Sequence, residues 1–273
     1  MYAMGIIQLI LLATCIAASP AADKSPRGRL APIPSCGVSF TAYPTASTSG
    51  SVTCPSTVPT PSSNARLRIE GNDAEGTIFE DCIVAGPREV TTPSGGTHEC
   101  DGTNNGAHLT PGTVPTAQLD AAAQLAGFSY DGTYTPAYED YFITRIGASA
   151  QNGAQYWGVS VNGQLTPVGG CQFEVGNGDS TLFAFDAFNK VSYLKLTPEF
   201  AVAEAGSGTV TVTVTDSLTG GLEAGARVGD QYTGVNGDAA ITVPNEPGCY
   251  KFKATRPGAL RSNTFYLTVV EAF

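Results

Sequence analysis

The chain has 273 residues, enough for one large domain or two small ones with a sizeable core. Charged residues are only 14% of it while glycine (32) and proline (18) are abundant, which points to many turns and an uncharged polar surface. The 14 Lys+Arg stand against 24 Asp+Glu for a net charge of −10, which argues against nucleic acid or acidic lipid as a partner, because neutralising phosphate needs a basic face.

The run GIIQLILLATCI at residues 5–16, followed by Ala17, Ala18, Ser19, Pro20, Ala21 and Ala22, has the pattern of a secretory signal peptide over residues 1–21. It is shorter than the roughly 20 apolar residues that a transmembrane helix needs. No later segment suggests a membrane span, so the expected product is secreted, either extracellular or cell-wall associated. Cys15 leaves with the signal, and Cys36, Cys54, Cys82, Cys100, Cys171 and Cys249 remain. An even number in an oxidising compartment implies disulfides, although six cysteines allow about 15 connectivities and spacing does not choose among them. His98, Glu99, Cys100 and Asp101, with His108 nearby, form the one cluster that resembles a metal site. Export favours a disulfide cysteine with loop histidines there, and neither a metal nor a cofactor is indicated.

Residues 22–63 read as a Ser/Thr/Pro-rich N-terminal segment, in which 39–63 is an extended linker open to O-glycosylation. Cys36 and Cys54 bracket much of it, and closing it on itself is one pairing open to them. From Asn64 the pattern changes. ARLRIE at 65–70 and TIFEDCIVA at 77–85 flank Gly71-Asn72-Asp73 and predict a hairpin. Residues 93–111, rich in Gly, Asn and Thr, read as a long surface loop that Cys100 would tether. The stretch from Thr113 to Gly127 has a capping residue, Pro115 in the first turn, apolar spacing of three and four, and a terminal glycine, which predicts a helix. Strands are expected at 141–146, 155–161, 165–168, 180–186 and 191–196, with Asn162-Gly163 as a two-residue turn. One hairpin, one helix and further strands describe an α+β unit over residues 64–197. Thr197-Pro198 marks a boundary. Beyond it, short β-branched runs at about ten-residue spacing predict an all-β sandwich over residues 198–273.

Residues 65–196 resemble a secreted family of unknown function described as transcobalamin-like C-terminal, especially its fungal members. The resemblance rests on RIEG at 68–71, TIFE at 77–80, TTPSGGTHECDGTNNG at 91–106, LDAAAQLAGFSYDGTY at 119–134, DYFITRIG at 140–147, YWGVSVNGQLTPVGGCQFEV at 156–175 and FAFDAFNK at 183–190. It covers about half the chain and implies a β-grasp-like fold, a mixed sheet with one helix. NGDAAITV and PGCYKFKATRPG make residues 201–273 similar to an immunoglobulin-like sandwich module. The family pattern places cysteines where Cys100 and Cys171 stand, which implies a bridge between them. Cys82 and Cys249 are then left over, and a bond between these two would lock the two domains together.

Trp157, the one tryptophan, follows Tyr156 on a strand ending in the Asn162-Gly163 turn. An aromatic with a nearby amide suits a planar or sugar-like ligand, while strand alternation alone would bury one of the two rings in the core. Tyr130, Tyr134, Tyr138 and Tyr141 form an aromatic passage that could stack on sugars or cover the helix end. The candidate binding residues are therefore Trp157, Tyr156, Asn162 and Tyr141. No catalytic residues are indicated: both histidines fall in the Gly/Asn-rich region, no G-x-S-x-G elbow occurs, and the cysteines are better read as bonded than as nucleophiles. The expectation is a secreted, non-enzymatic surface or cell-wall-associated binding or structural protein with a cell-wall polysaccharide or a small planar ligand as partner. A carrier of a cobalamin-like ring is the alternative, and a carbohydrate-active enzyme the weakest reading.

Overall fold

The computed structural model describes residues 36, 48–54 and 57–271. The expected signal peptide and most of the Ser/Thr/Pro-rich segment lie outside these residues. In the N-terminal lobe the chain forms β1 (Ser63–Glu70), β2 (Thr77–Ala85), β3 (Arg88–Thr92), β4 (Gly96–Cys100), α1 (Pro115–Ala126), β5 (Tyr130–Thr135), β6 (Asp140–Ile146), β7 (Trp157–Val161) and β8 (Ser180–Phe185). The C-terminal lobe contains β9 (Leu194–Thr197), β10 (Phe200–Glu204), β11 (Thr209–Asp216), β12 (Asp238–Thr242), β13 (Gly248–Phe252) and β14 (Phe265–Val270). The fold is therefore largely β, with several sheets and one α-helix among the described residues. That helix is neither long nor apolar enough to cross a membrane.

A five-stranded sheet runs in the order Gln164–Leu165, β7, β8, β1, β2. β8 and β1 are parallel and the other pairs antiparallel. The parallel pair sits at the centre and is covered on both faces, which explains why β8 reads as the near-continuous apolar run TLFAF instead of alternating. α1 packs on one face. Pro115 occupies its first turn, and Gly127 ends it at φ 75°, a left-handed value that glycine adopts without steric cost. Thr113 does not cap the helix as expected; its hydroxyl donates to Ala85 O at 2.7 Å, and Val114 holds the cap position. The alanines Ala117 and Ala121–Ala123, with Leu119, meet Leu67, Ile69, Ile83, Trp157, Phe183 and Phe185 in the main core.

The expected long loop at 93–111 is partly strand. β3 and β4 pair from Arg88↔Cys100 to Thr92↔Gly96, so the hairpin satisfies its own backbone groups and Gly96 (φ 77°) makes its turn. β5 pairs with β6, and the aromatic passage is thereby a third hairpin, after β1–β2 and β3–β4.

In the C-terminal lobe, β10 and β14 are parallel in a four-stranded sheet ordered Ser49–Gly50, β10, β14, β13. β9, β11 and β12 form an antiparallel three-stranded sheet, and Leu196, Val212, Val214, Ile241, Phe265 and Leu267 fill the core of this lobe. β10 was not among the expected strands, because FAVAE offers no alternation; it lies second in its sheet and Ala201–Ala203 are all buried. The linker reading fails for the described part of the N-terminal segment. Ser49–Gly50 adds a strand to β10, Val52 N donates to Glu199 Oε2 at 2.6 Å, and Val58 N donates to Asn177 Oδ1 at 3.0 Å.

The bridges are Cys36–Cys249, Cys54–Cys82 and Cys100–Cys171. The expected Cys36–Cys54 and Cys82–Cys249 pairings are therefore corrected. Cys249 lies on β13 opposite Thr268 of β14, and the Cys36 sulfur lies near Leu267 O on that same β14, whereas Cys54 lies beside β2 of the other lobe. One bridge ties the N-terminal segment to each lobe, and none of the three disulfides runs directly from one lobe to the other.

The described residues all fall in one compact unit. A seam of charge holds the lobes together. Glu70, fully buried at the end of β1, receives Lys253 Nζ at 2.6 Å and Arg261 Nε at 3.0 Å. Lys253 also reaches Glu80 Oε2 at 2.8 Å, and Thr264 donates to Glu80 from its backbone N–H and its hydroxyl. Burial alone would raise the Glu80 carboxyl. Lys253 and Arg68, with these hydrogen bonds, outweigh burial and hold it below the ordinary carboxylate range.

Candidate functional site

A groove of about 220 Å³ opens beside Trp157. β6 supplies Tyr141, Phe142 and Ile143, and β7 supplies Trp157, Gly158 and Val159. The turn after Leu165 adds Thr166, Val168, Gly169 and Gly170. Trp157 is almost wholly buried. Its indole N–H donates to Ser149 O at 3.1 Å, and its ring meets Phe185 edge-on at 5.4 Å. Around it the lip is exposed and apolar: Phe142 (46%), Leu165 (42%), Val168 (41%) and Phe188 (66%) all line the groove. Exposed large apolar side chains gathered on one concavity mark a binding surface, whereas scattered ones do not.

The back of the groove is fixed by a tight turn. Asp140 is buried at the start of β6, and its carboxylate accepts from Cys171 N at 3.1 Å, Tyr141 N at 2.7 Å and Gln172 Nε2 at 3.3 Å. Burial raises it to about 6 against the opposing pull of those hydrogen bonds. Glycines are required here: a Cβ on Gly169 would run into the Asp140 carboxylate, and one on Gly170 into the Thr116 hydroxyl. The Cys100–Cys171 bridge anchors the same turn, and Gly102 N donates to Cys171 O at 3.0 Å. Thr116, in the first turn of α1, lines the groove with a buried hydroxyl that has no partner among the described residues.

The four candidate residues do not share one place. Trp157 and Tyr141 line the groove. Tyr141 is buried and donates to Val90 O at 2.6 Å or Gly96 O at 2.9 Å; burial pushes its phenol up to about 12. Tyr156 is half exposed and lies 6.1 Å from the Phe142 ring at the lip, with its hydroxyl on Gly153 O at 3.2 Å. Asn162 stands beyond the opposite end of β7, about 17 Å along the strand at the usual rise. At φ 52° it forms the turn, donating to Asp179 Oδ1 at 2.8 Å and accepting from Ser180 N at 3.0 Å. It lines a different, polar cavity of about 360 Å³ between the lobes. Sequence reasoning missed Phe142, Leu165, Val168 and Phe188. The signal was present, since each is a large apolar residue next to a turn or on the outward side of a strand.

The histidines are apart. His98 stacks on Tyr134 with ring centroids 3.5 Å apart and contacts Gly95 O at 3.0 Å, while His108 lies 3.5 Å from Glu174. Tyr130 donates to Asp120 at 2.8 Å beneath α1, and burial raises its phenol. Among the described residues no group of three or more His, Cys, Asp or Glu side chains is arranged to hold a metal ion.

Comparison with protein families finds a domain of unknown function (DUF4430) at residues 118–187, from α1 through β8. The groove's strands and turn fall within this stretch. No curated protein matches the chain.

Proposed function

We propose that this is an exported, non-enzymatic binding protein, held at the cell surface or cell wall, whose DUF4430 region presents the Trp157 groove to a ligand with a flat apolar face. The observation that carries the reading is the gathering of Phe142, Leu165, Val168 and Phe188, all exposed, around the buried Trp157 indole. Three disulfides support the export part, because such bonds persist in oxidising compartments.

We read residues 64–197 as a transcobalamin-like, β-grasp-like module and residues 198–273 as an immunoglobulin-like sandwich. The single helix across a mixed sheet supports the first reading, and several short-stranded sheets with a core of their own support the second. A volume of about 220 Å³ falls below the roughly 300–1,000 Å³ of sites that enclose drug-sized ligands, so a one- or two-ring body or a single sugar face suits the groove better than a corrinoid. The test is retention on chitin, β-glucan and cellulose, together with soluble oligosaccharides and cobalamin, using Leu165→Glu as the control. Binding to a polymer or ring ligand that the variant loses supports the reading. Equal behaviour of both proteins toward every ligand overturns it.

A further inference from the structure

The polar cavity between the lobes is chemically unlike the groove. Its floor is the face of the five-stranded sheet turned away from α1, where Arg66 and Arg68 of β1 lie beside Ser180 and Leu182 of β8 and Ser160 of β7 lies beside Leu182. Lys195 of β9 and Ser217 close it from the other lobe. None of the described residues that line it is aromatic, so they offer no ring for a planar ligand to stack on.

Charge concentrates here against the trend of the molecule. In a chain of net charge −10, five cations (Arg66, Arg68, Lys195, Lys253 and Arg261) line this cavity or its adjoining seam. The carboxylates facing them are engaged. Glu199 has Arg66 Nη1 at 2.7 Å on one oxygen and Val52 N at 2.6 Å on the other, Glu80 is held by Lys253 and Thr264, and Glu70 by Lys253 and Arg261. Asp73, paired with Arg261 at 3.3 Å, is almost fully exposed at the seam's edge, and Asp179 is engaged by Asn162 and Gly176 N at the rim. Arg68 makes its contacts through Nη1 alone, toward Arg261 O at 2.9 Å and Glu70 at 3.8 Å, and its charge also acts on Glu80. Lys195 has no ion pair among the described residues, and the hydroxyl of the nearly buried Ser160 has no hydrogen bond there.

Two cations with free N–H groups beside free hydroxyls, in a space of about 360 Å³, match one ring that carries a carboxylate and several hydroxyls. We propose that this cleft is a second binding site, distinct from the Trp157 groove, for a uronic-acid sugar. Its carboxylate pairs with Arg68 and Lys195, and its hydroxyls meet Ser160 and Ser217.

The test is titration calorimetry of the full oxidised protein with glucuronate and galacturonate, with glucose, galactose and inorganic sulfate as controls. Lys195→Gln and Ser160→Ala are the variants, and their unfolding midpoints confirm folding; Lys195 is exposed, so its replacement leaves the core untouched. The expected result is saturable binding of at least one uronate, weakened about tenfold or more in Lys195→Gln, with the neutral sugars at least about tenfold weaker and with rising salt reducing affinity. Trp157 emission stays constant, because the indole faces the other cavity. Absence of saturable heat from both uronates at about 10 mM overturns the proposal. So does unchanged affinity in Lys195→Gln, or sulfate binding as tightly as the better uronate.

Discussion

Replacing Lys253 by methionine tests how the seam holds the lobes together. The ammonium lies 2.6 Å from Glu70 Oε1, 2.8 Å from Glu80 Oε2 and 3.0 Å from Ser262 O, and both carboxylates are almost completely buried. Removing one partner of a buried pair costs about 3–5 kcal/mol, because it leaves a charge without compensation. Arg261 remains on Glu70 and Arg66 remains 3.5 Å from Glu80, so the lower end, about 3 kcal/mol, is expected. For a chain of this size that corresponds to a fall of about 6–12 °C in Tm. The pH dependence is more diagnostic. In the native protein Glu80 titrates below its ordinary value, so its stabilisation is present above the ordinary carboxylate range and is lost as pH falls through the folded value. Without Lys253, Arg68 and Thr264 still oppose burial, but the depression of Glu80 shrinks and less stability is lost on acidification. Guanidinium unfolding of the oxidised protein should therefore show the gap between the two proteins wide at neutral pH and narrow under acid conditions. Adding Glu80→Gln to Lys253→Met should recover part of the loss. A cost under about 0.5 kcal/mol with parallel pH curves would refute the reasoning.

Asp140, raised to about 6, gives stability that is fully present below its ordinary value and lost as pH rises through about 6, about 3 kcal/mol in all. Asp140→Asn should flatten that part of the stability–pH curve, which unfolding midpoints across the acid range will check. Thr116→Val replaces a buried hydroxyl without a partner by a methyl of the same shape, so it should leave unfolding free energy unchanged or raise it by about 1 kcal/mol; a loss of more than that would show a hidden hydrogen bond. Replacing both Cys100 and Cys171 by serine opens a 71-residue loop and should cost about 4 kcal/mol, read from denaturant midpoints, and should loosen the turn behind the groove.

What could be read in the sequence follows from how local each signal is. α1 was legible because Pro115 and Gly127 fix its ends within one segment, and the Asn162-Gly163 turn because its φ angles are encoded in two residues. β4 was hidden by Gly96, which the turn requires, and by the Gly/Asn-rich stretch that follows. The disulfide pairings at Cys36, Cys54, Cys82 and Cys249 depend on which lobe Cys36 and Cys54 each lie against, which spacing does not carry. The seam was hidden for a different reason. Arg66, Arg68 and Glu70 alternate with Ala65, Leu67 and Ile69 as in any strand with one wet face, yet here the second lobe covers that face with Lys253 and Arg261. The site was half legible: Trp157 and Tyr141 line the groove, but strand rise separates Asn162 from them.

The binding reading is tested most directly by the emission of Trp157 during titration with 1-naphthylamine, a two-ring probe that is uncharged at neutral pH and accepts energy from indole. A groove open beside the indole predicts saturable quenching with a matching rise in probe emission, both lost in Leu165→Glu. If the probe leaves Trp157 unchanged, or quenches the variant equally, the groove does not take a flat apolar ligand.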